Sequence, residues 1–436
     1  MTPQSDFMIV VPILPEKREA LQALLDSMNV SPGLVNPANT TIPFEQFDTL
    51  HSARLLIIDA NTAHEIEAFG WQPHNWPAAL AFLGDVDGET KDFLANLSIR
   101  ASNGLQRLYQ HCDGFETHTG TLLEWLELNS AKPAATYVNW FGRTVLQVRQ
   151  DECLQKSLSL MLPGLLKKYS WDNPRQIRQE LLNHVERERH SGNLTLTPET
   201  PTSWRYRCRY LIDLISLPLL LFLLSPLLVL ITPMVALRLR YAEKTDPDIH
   251  EKPSTVHIRK LSEIEDLDVC NQFNVFGDVK PGMFRYLLLK FIMKLVNYAA
   301  RHVYKRGYLA RVRTIHFARW VFLNNNRSMF FASQYDGSLE SYMDDFINKV
   351  AFGLNLTFSH GVGYPRTRWI IKGGAELEQP FKDTLRRHQL PSAVWYHAHP
   401  GLTALDMSRN ARIRRGIESY PADDNSIRLW LSEIRT

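Results

Sequence analysis

The ten residues from Thr49, TLHSARLLII, are spelled almost a second time from Thr314, TIHFARWVFL. A chain that carries one strand-like segment twice must find two equivalent places for it. The likeness extends outward on both sides. FLGDVDGETKDFLANL follows the first copy and FFASQYDGSLESYMDDF the second, so that Asp87-Gly88 answers Asp336-Gly337. GLQRLYQHCDGF from Gly104 matches GLNLTFSHGVGY from Gly353 and pairs His111 with His360. Tyr137, Gly142, Thr144 and Leu146 match Tyr396, Gly401, Thr403 and Leu405, while Pro15 answers Pro281. The blocks keep their order as their spacing drifts, which is the signature of an internal duplication with loop insertions such as NTAHEIEAFGWQPHNWP.

Each copy has the same predicted element order. FMIVVPIL reads as a strand, EKREALQALLDSMN as an amphipathic helix, LHSARLLIID and AALAFLGDV as two strands, ETKDFLANLSIRASNGLQRLYQHC as a long helix and AATYVNW as a last strand. The second copy repeats this with QFNVFGD, a helix from Gly282, TIHFARWVFL, SMFFASQYD, a helix from Ser338 and SAVWYHAH. That order is β-α-β-β-α-β, the ferredoxin-like unit. A sheet with helices on one face needs a cover for the other, and two copies in one chain can cover each other. The expected class is therefore α+β, with two ferredoxin-like repeats paired as an intrachain pseudo-dimer. Such a pair resembles the dimeric α+β barrel superfamily, and the IHFARW, YDGS-ES and PGLTA motifs are similar to those of uncharacterised bacterial proteins of that type.

Between the copies, Leu214 to Leu237 run for 24 residues without a charge. That is long enough to cross a bilayer. A single crossing would, however, put the two copies on opposite sides and forbid their pairing. Pro218, Pro226 and Pro233 interrupt the run. Both flanks are basic, with Arg205, Arg207 and Arg209 before it and Arg238 and Arg240 after it. Positive flanks stay cytoplasmic. A re-entrant hairpin with arms of about 11–15 residues, too short to span, is therefore expected rather than a transmembrane helix. Leu214, Leu220, Phe222, Leu227 and Leu230 are its candidate membrane contacts. Residues 282–313 hold eight Lys/Arg and no acid among large apolar residues, the pattern of a basic amphipathic helix on an anionic surface. The domain plan is repeat one at 1–155, a helical linker at 156–204, the membrane segment at 205–245 and repeat two at 246–436. The expected location is the cytoplasmic face of a bacterial inner membrane.

Other classes are excluded or weakened. A net charge of +3 argues against a globally basic nucleic-acid binder. Four scattered cysteines make neither a metal knuckle nor a disulfide framework. No P-loop, G-x-G-x-x-G, H-E-x-x-H or Ser-His-Asp pattern is present.

Residues kept in both copies suit shared architecture. These are His51 and His316, Arg54 and Arg319, Asp87 and Asp336, and His111 and His360. An Asp-Gly after a strand closes a turn and caps the next helix, and a buried pair of Arg319 with Asp336 would brace the sheet. Residues present in one copy suit specialisation. The second copy alone has His397 and His399 in WYHAHPG, Arg366 and Arg368 in YPRTRW, and Lys372 in IIKGG. The H-x-H pair can ligate a metal or haem iron. Arg319, Arg366, Arg368, Lys372 and Tyr396 can hold an anionic headgroup or other small ligand. The superfamily resemblance implies oxidoreductase-type chemistry on a lipid or other apolar substrate. His316, His360, His397 and His399 would then be ligands or acid–base groups in a pocket between the copies. A non-catalytic lipid- or haem-binding protein and a membrane scaffold are the alternatives.

Overall fold

The structure, a computed structural model, describes residues 2–59, 62–73, 76–304, 307–309, 311–419 and 423–435. The protein is α+β. Its long strands are β1 (Gln4–Pro12), β2 (Leu50–Ile58), β3 (Ala79–Asp87), β4 (Pro133–Val138), β5 (Cys270–Asp278), β6 (Ile315–Leu323), β7 (Ser328–Asp336) and β8 (Val394–His397). They form two antiparallel four-stranded sheets, ordered β1-β3-β2-β8 and β4-β6-β7-β5. Neither sheet closes on itself. Every residue of β3 and β7 is buried, because one face of each sheet meets helices and the other meets the opposite sheet.

The last strands are placed unexpectedly. By sequence, β4 finishes the first sheet and β8 the second. Instead they are exchanged: Tyr137 of β4 pairs with Ala318 of β6, and Tyr396 of β8 pairs with Ala53 of β2. The β2 and β6 edges carry unpaired backbone groups that need a partner. Alternating hydrophobicity marks a strand but does not say which edge it joins.

The main helices are α1 (Arg18–Asp26), α2 (Thr90–Arg100), α3 (Val145–Lys168), α4 (Pro174–His190), α5 (Trp204–Leu223), α6 (Ser225–Thr245), α7 (Met283–Tyr298), α8 (Leu339–Phe358), α9 (Glu378–His388), α10 (Ala404–Glu418) and α11 (Asp424–Arg435). The outer face of the first sheet buries Phe7, Phe82 and Val394 with Leu21 of α1 and Leu97 of α2. That of the second buries Phe273 and Phe331 with Leu289 of α7 and Tyr342 of α8. A separate helical core joins α3, α4, α10 and α11 through Leu158, Leu181, Ile413 and Leu431. The boundary read at 155 therefore falls inside α3, whose Leu154 and Leu158 share that core.

The apolar insert forms two helices of 20 and 21 residues, not short arms. They extend because the basic flanks are helical too. The chain breaks between them at Leu224, so Pro226 sits in the first turn of α6, where its missing N–H costs nothing. No residue of α5 is buried, and only Leu239 and Glu243 of α6 are. Among the described residues, α6 is the one helix long and apolar enough to cross a membrane. Both helices of the pair touch α7, α5 from its middle and α6 from its second half. Tyr298 Oη donates to the Leu214 carbonyl at 2.9 Å, and the Arg238 guanidinium lies 6.0 Å from the Phe284 ring.

The basic helix read over 282–313 ends early. After α7 comes a π-helical turn, Ala299–Val303, and the chain is then irregular. Lys305, Arg306 and Ala310 lie outside the described residues. Arg285, counted as part of a basic surface, is buried against Asp246 at 2.5 Å.

Candidate functional site

Two arginines lock the sheets face to face. Arg54 leaves β2 and donates to Asn274 Oδ1 at 2.8 Å and to the Ser333 carbonyl at 3.2 Å in the opposite sheet. Arg319 leaves β6 and donates to the Phe7 carbonyl at 2.8 Å, the Gly84 carbonyl at 3.0 Å and the Asp85 carboxylate. The partner of Arg319 is thus Asp85 of the first copy and not Asp336, because the strand parity aims Arg319 across the interface. Asp85 is the carboxylate bonded to Arg319 here, with Asp6 beside it in the sheet register. At the place equivalent to Asp85 stands Gln334, whose amide donates to Asp85 Oδ2 at 2.6 Å. Arg54, with no carboxylate bonded to it, is pushed down to about 9 by burial and by the nearby Arg319.

Beyond the arginines the two sheets present matching histidines. Each sits on a β-bulge, between Leu50 and Ser52 in β2 and between Ile315 and Phe317 in β6. A bulge re-aims a side chain that strict alternation would have placed elsewhere. His51 Nε2 meets Asp87 Oδ1 at 2.9 Å, and His316 Nε2 meets Asp336 Oδ1 at 2.5 Å. The second carboxylate oxygen of each aspartate accepts a helix N-terminal amide, Val145 N at 2.8 Å and Ala404 N at 2.8 Å. These are the helices that follow the exchanged strands, not the ones next in sequence. Gly88 and Gly337 close the adjoining turns at φ 85° and 86°, a region glycine enters without steric cost.

The copies differ at the residue facing this pair. Gln4 stands opposite Asp87 in the sheet register, and Cys270 stands opposite Asp336. The sulfur, an imidazole nitrogen of His316 and an oxygen of Asp336 all lie within 4.8 Å of one another. Cys270 and His316 border a small cavity of about 30 Å³ at the seam of the two sheets, whose lining also includes His51, Asn139, His397 and His399. Of the four histidines read as candidate acid–base groups or ligands, the structure therefore brings His316, His397 and His399 to one cavity. His360 lies elsewhere, fully buried after α8 with neither ring nitrogen hydrogen-bonded. His397 bonds Asp268 at 3.0 Å, whereas both ring nitrogens of buried His399 are unpartnered. Sequence reasoning missed Cys270. The signal was available: it is a polar difference between the copies at a position beside a shared His–Asp pair.

The buried imidazoles are held in opposite states. Burial alone would lower His316, but Cys270 and Asp336 outweigh it and hold the ring up at about 10. His399 is held well below 6.5 by burial and by His51 and Arg149; His360 by burial and by Arg285 and Lys280. A neutral buried histidine takes up its proton only on unfolding, so the unfolded chain binds more protons below pH 6.5 and stability falls as the pH falls. Each of the two groups contributes about 1.4 kcal/mol per pH unit in that range. Urea unfolding at pH 5.5 and pH 7 measures this slope. His360→Asn is expected to make it shallower, by up to about 1.4 kcal/mol per pH unit below pH 6.5. His316 acts the other way: its stabilisation is complete below 6.5 and is lost as the pH rises towards 10.

The residues read as headgroup ligands disperse. Arg366, Arg368 and Lys372 lie exposed on a hairpin of Thr367–Arg368 and Lys372–Gly373. Arg319 belongs to the inter-sheet layer. Tyr396 is buried in the first core, stacked on Phe44 at 5.0 Å. A larger space lies in the second half. Helix α8 is interrupted at Val350 (φ −140°, ψ 21°), and beneath the kink opens a cavity of about 460 Å³. Phe273, Leu295, Val296, Trp320, Met343 and Phe352 are among its walls. Leu295, Val296 and Ala299 bring α7 and its π turn into that wall, the same segment on which α5 docks. No match to this chain was found among protein-family models, curated proteins or solved structures.

Proposed function

We propose that this chain is a membrane-surface protein that takes one lipid-like apolar ligand into the cavity beneath the kink of α8. The observation that carries this reading is the contact between that cavity's α7 wall and the exposed apolar helix pair. The volume is in the range of pockets that enclose a small molecule. Its lining is mostly aromatic and aliphatic, and its one cation among the described residues, Lys349, is paired with Asp345 at 2.6 Å. Exposed Leu220, Phe222, Leu227 and Leu230 are sited to enter the bilayer, at 51%, 74%, 51% and 73% exposure. A solvated surface of this kind is unfavourable unless lipid covers it.

The hairpin bearing Arg366, Arg368 and Lys372 supports a surface orientation better than a pocket role. Trp369 and Ile371 are exposed at its tip. Trp369 and Ile370 hold φ of 59° and 60°, strained for side chains of that size. Glu243 of α6 keeps them there, accepting both backbone amides at 2.8 Å. The hairpin is thereby tied to the apolar helix pair. Aromatic and basic residues together suit the headgroup region of an anionic bilayer. In this reading the two halves are ferredoxin-like repeats forming an intrachain dimeric α+β barrel with exchanged last strands. The basic flanks of the insert favour the cytoplasmic face; protection of both halves from protease in sealed inverted vesicles would contradict that side.

Native mass spectrometry of the gently extracted protein tests the ligand. One bound lipid per chain is expected. Ala351, in the cavity lining, replaced by tryptophan fills the space and is expected to abolish the bound mass while leaving membrane attachment intact. Retention of the lipid in Ala351→Trp would overturn the cavity as its site.

A further inference from the structure

We propose that Cys270 and His316, with Asp336 behind the imidazole, form a site for a soft divalent transition-metal ion of the zinc class at the seam of the two sheets. The donor set fits. A thiolate and an imidazole are the ligands such ions prefer over calcium or magnesium. The three groups come from three neighbouring strands, β5, β6 and β7, and are all buried. His316 Nε2 is engaged by Asp336, and the same side chain is hydrogen-bonded to Cys270, so thiol and imidazole are already within reach of each other. A ligating histidine commonly has such a carboxylate behind it, which fixes the ring and raises its basicity. Asp336 is itself fixed by the Ala404 amide, so the ring is held from behind by a rigid helix start.

The comparison within the chain separates architecture from ligation. His51, Asp87 and the Val145 amide reproduce the brace without a thiol, with Gln4 in the place of Cys270. The brace therefore needs no sulfur, and the sulfur is an addition of the second copy. A second observation points to an ion: His399 lines the same cavity, is 6% exposed and has no hydrogen bond at either ring nitrogen. A buried imidazole without a partner is costly unless something completes it. His399 lies outside the 4.8 Å group of Cys270, His316 and Asp336, so in this assignment it faces the open side of the ion across the cavity and receives a small ligand bound there, such as water.

The test uses full-length, tag-free protein in a Cys153→Ala/Cys208→Ala background, which removes the two exposed thiols. Cobalt(II) is titrated as the spectroscopic probe and zinc as its competitor. One equivalent is expected to bind with a thiolate-to-cobalt charge-transfer absorption, and zinc is expected to displace it. Cys270→Ser is expected to lose that absorption while its metal-free circular dichroism spectrum remains that of the folded parent. His399→Ala is expected to keep the absorption and bind at least about tenfold more weakly, the factor for a lost outer partner. No saturable binding, or an absorption that survives Cys270→Ser, would overturn the site. Unchanged affinity in His399→Ala would overturn its place as the partner of the ion's small ligand.

Discussion

Replacing Leu220, Phe222, Leu227 and Leu230 together by serine is expected, on the proposed membrane attachment, to move the protein from the membrane fraction to the soluble fraction. All four side chains are exposed on α5 and α6. Burying such a side chain contributes about 1.5–3 kcal/mol, so the four together are worth roughly 6–12 kcal/mol of transfer into lipid. Even the lower figure changes the partition coefficient by about ten-thousand-fold. Flotation with vesicles before and after the substitutions measures it. Because no residue of α5 is buried against the rest of the chain, the thermal unfolding of the body is expected to change little. A variant that still floats with vesicles at high salt would show that the helix pair is not the anchor.

Asp85→Ala is expected to be the most destabilising single substitution at the sheet interface, at about 3–5 kcal/mol, because it strands a buried guanidinium. Asp85 is the carboxylate bonded to Arg319, and it also accepts from Ser52 at 2.9 Å and Gln334 at 2.6 Å. Asp85→Leu combined with Arg319→Met removes the charge and its partner together. That double variant is expected to recover much of the loss, since a buried pair replaced by apolar residues of similar size is often close to neutral. Chemical unfolding of the single and double variants separates the two cases. Equal destabilisation of both would mean that the backbone carbonyl acceptors of Arg319, and not Asp85, carry the lock. The opposite arginine supplies a contrast. Arg54 is bonded to neutral acceptors only, so Asn274→Ala is expected to cost less, about 1–3 kcal/mol for an unsatisfied buried donor.

Much of the site was legible as residues and little of it as geometry. His316 and Arg319 were marked as architectural because Thr49–Ile58 repeats them, and their buried, bonded positions agree with that role. Their partners were not legible. Alternation predicts which side of a strand a residue faces, and the bulge at Phe317 changes that for His316 relative to the rest of β6. His397 and His399 were paired as an H-x-H unit. Strand β8 ends at His397, so His399 lies beyond it and turns into the seam, while His397 is taken by Asp268. The large apolar cavity had no signature at all. It comes from a break in α8 at Val350, in a stretch whose apolar residues would serve equally well in a continuous helix.

Periodicity and self-similarity act along the chain, so the sequence by itself determined the α+β class, the long uncharged insert and which residues recur in both halves. Which edge each last strand joins, which carboxylate meets which cation, and where space remains are set by contacts between residues far apart in sequence. Tyr137 reaches Ala318 and Arg319 reaches Asp85 only because the two sheets lie face to face. Buried donors and charges must find partners in that arrangement, and the same two strands stacked differently would satisfy them differently. That constraint belongs to the packed molecule, and it is what brought Cys270, His316 and His399 to the edge of one cavity.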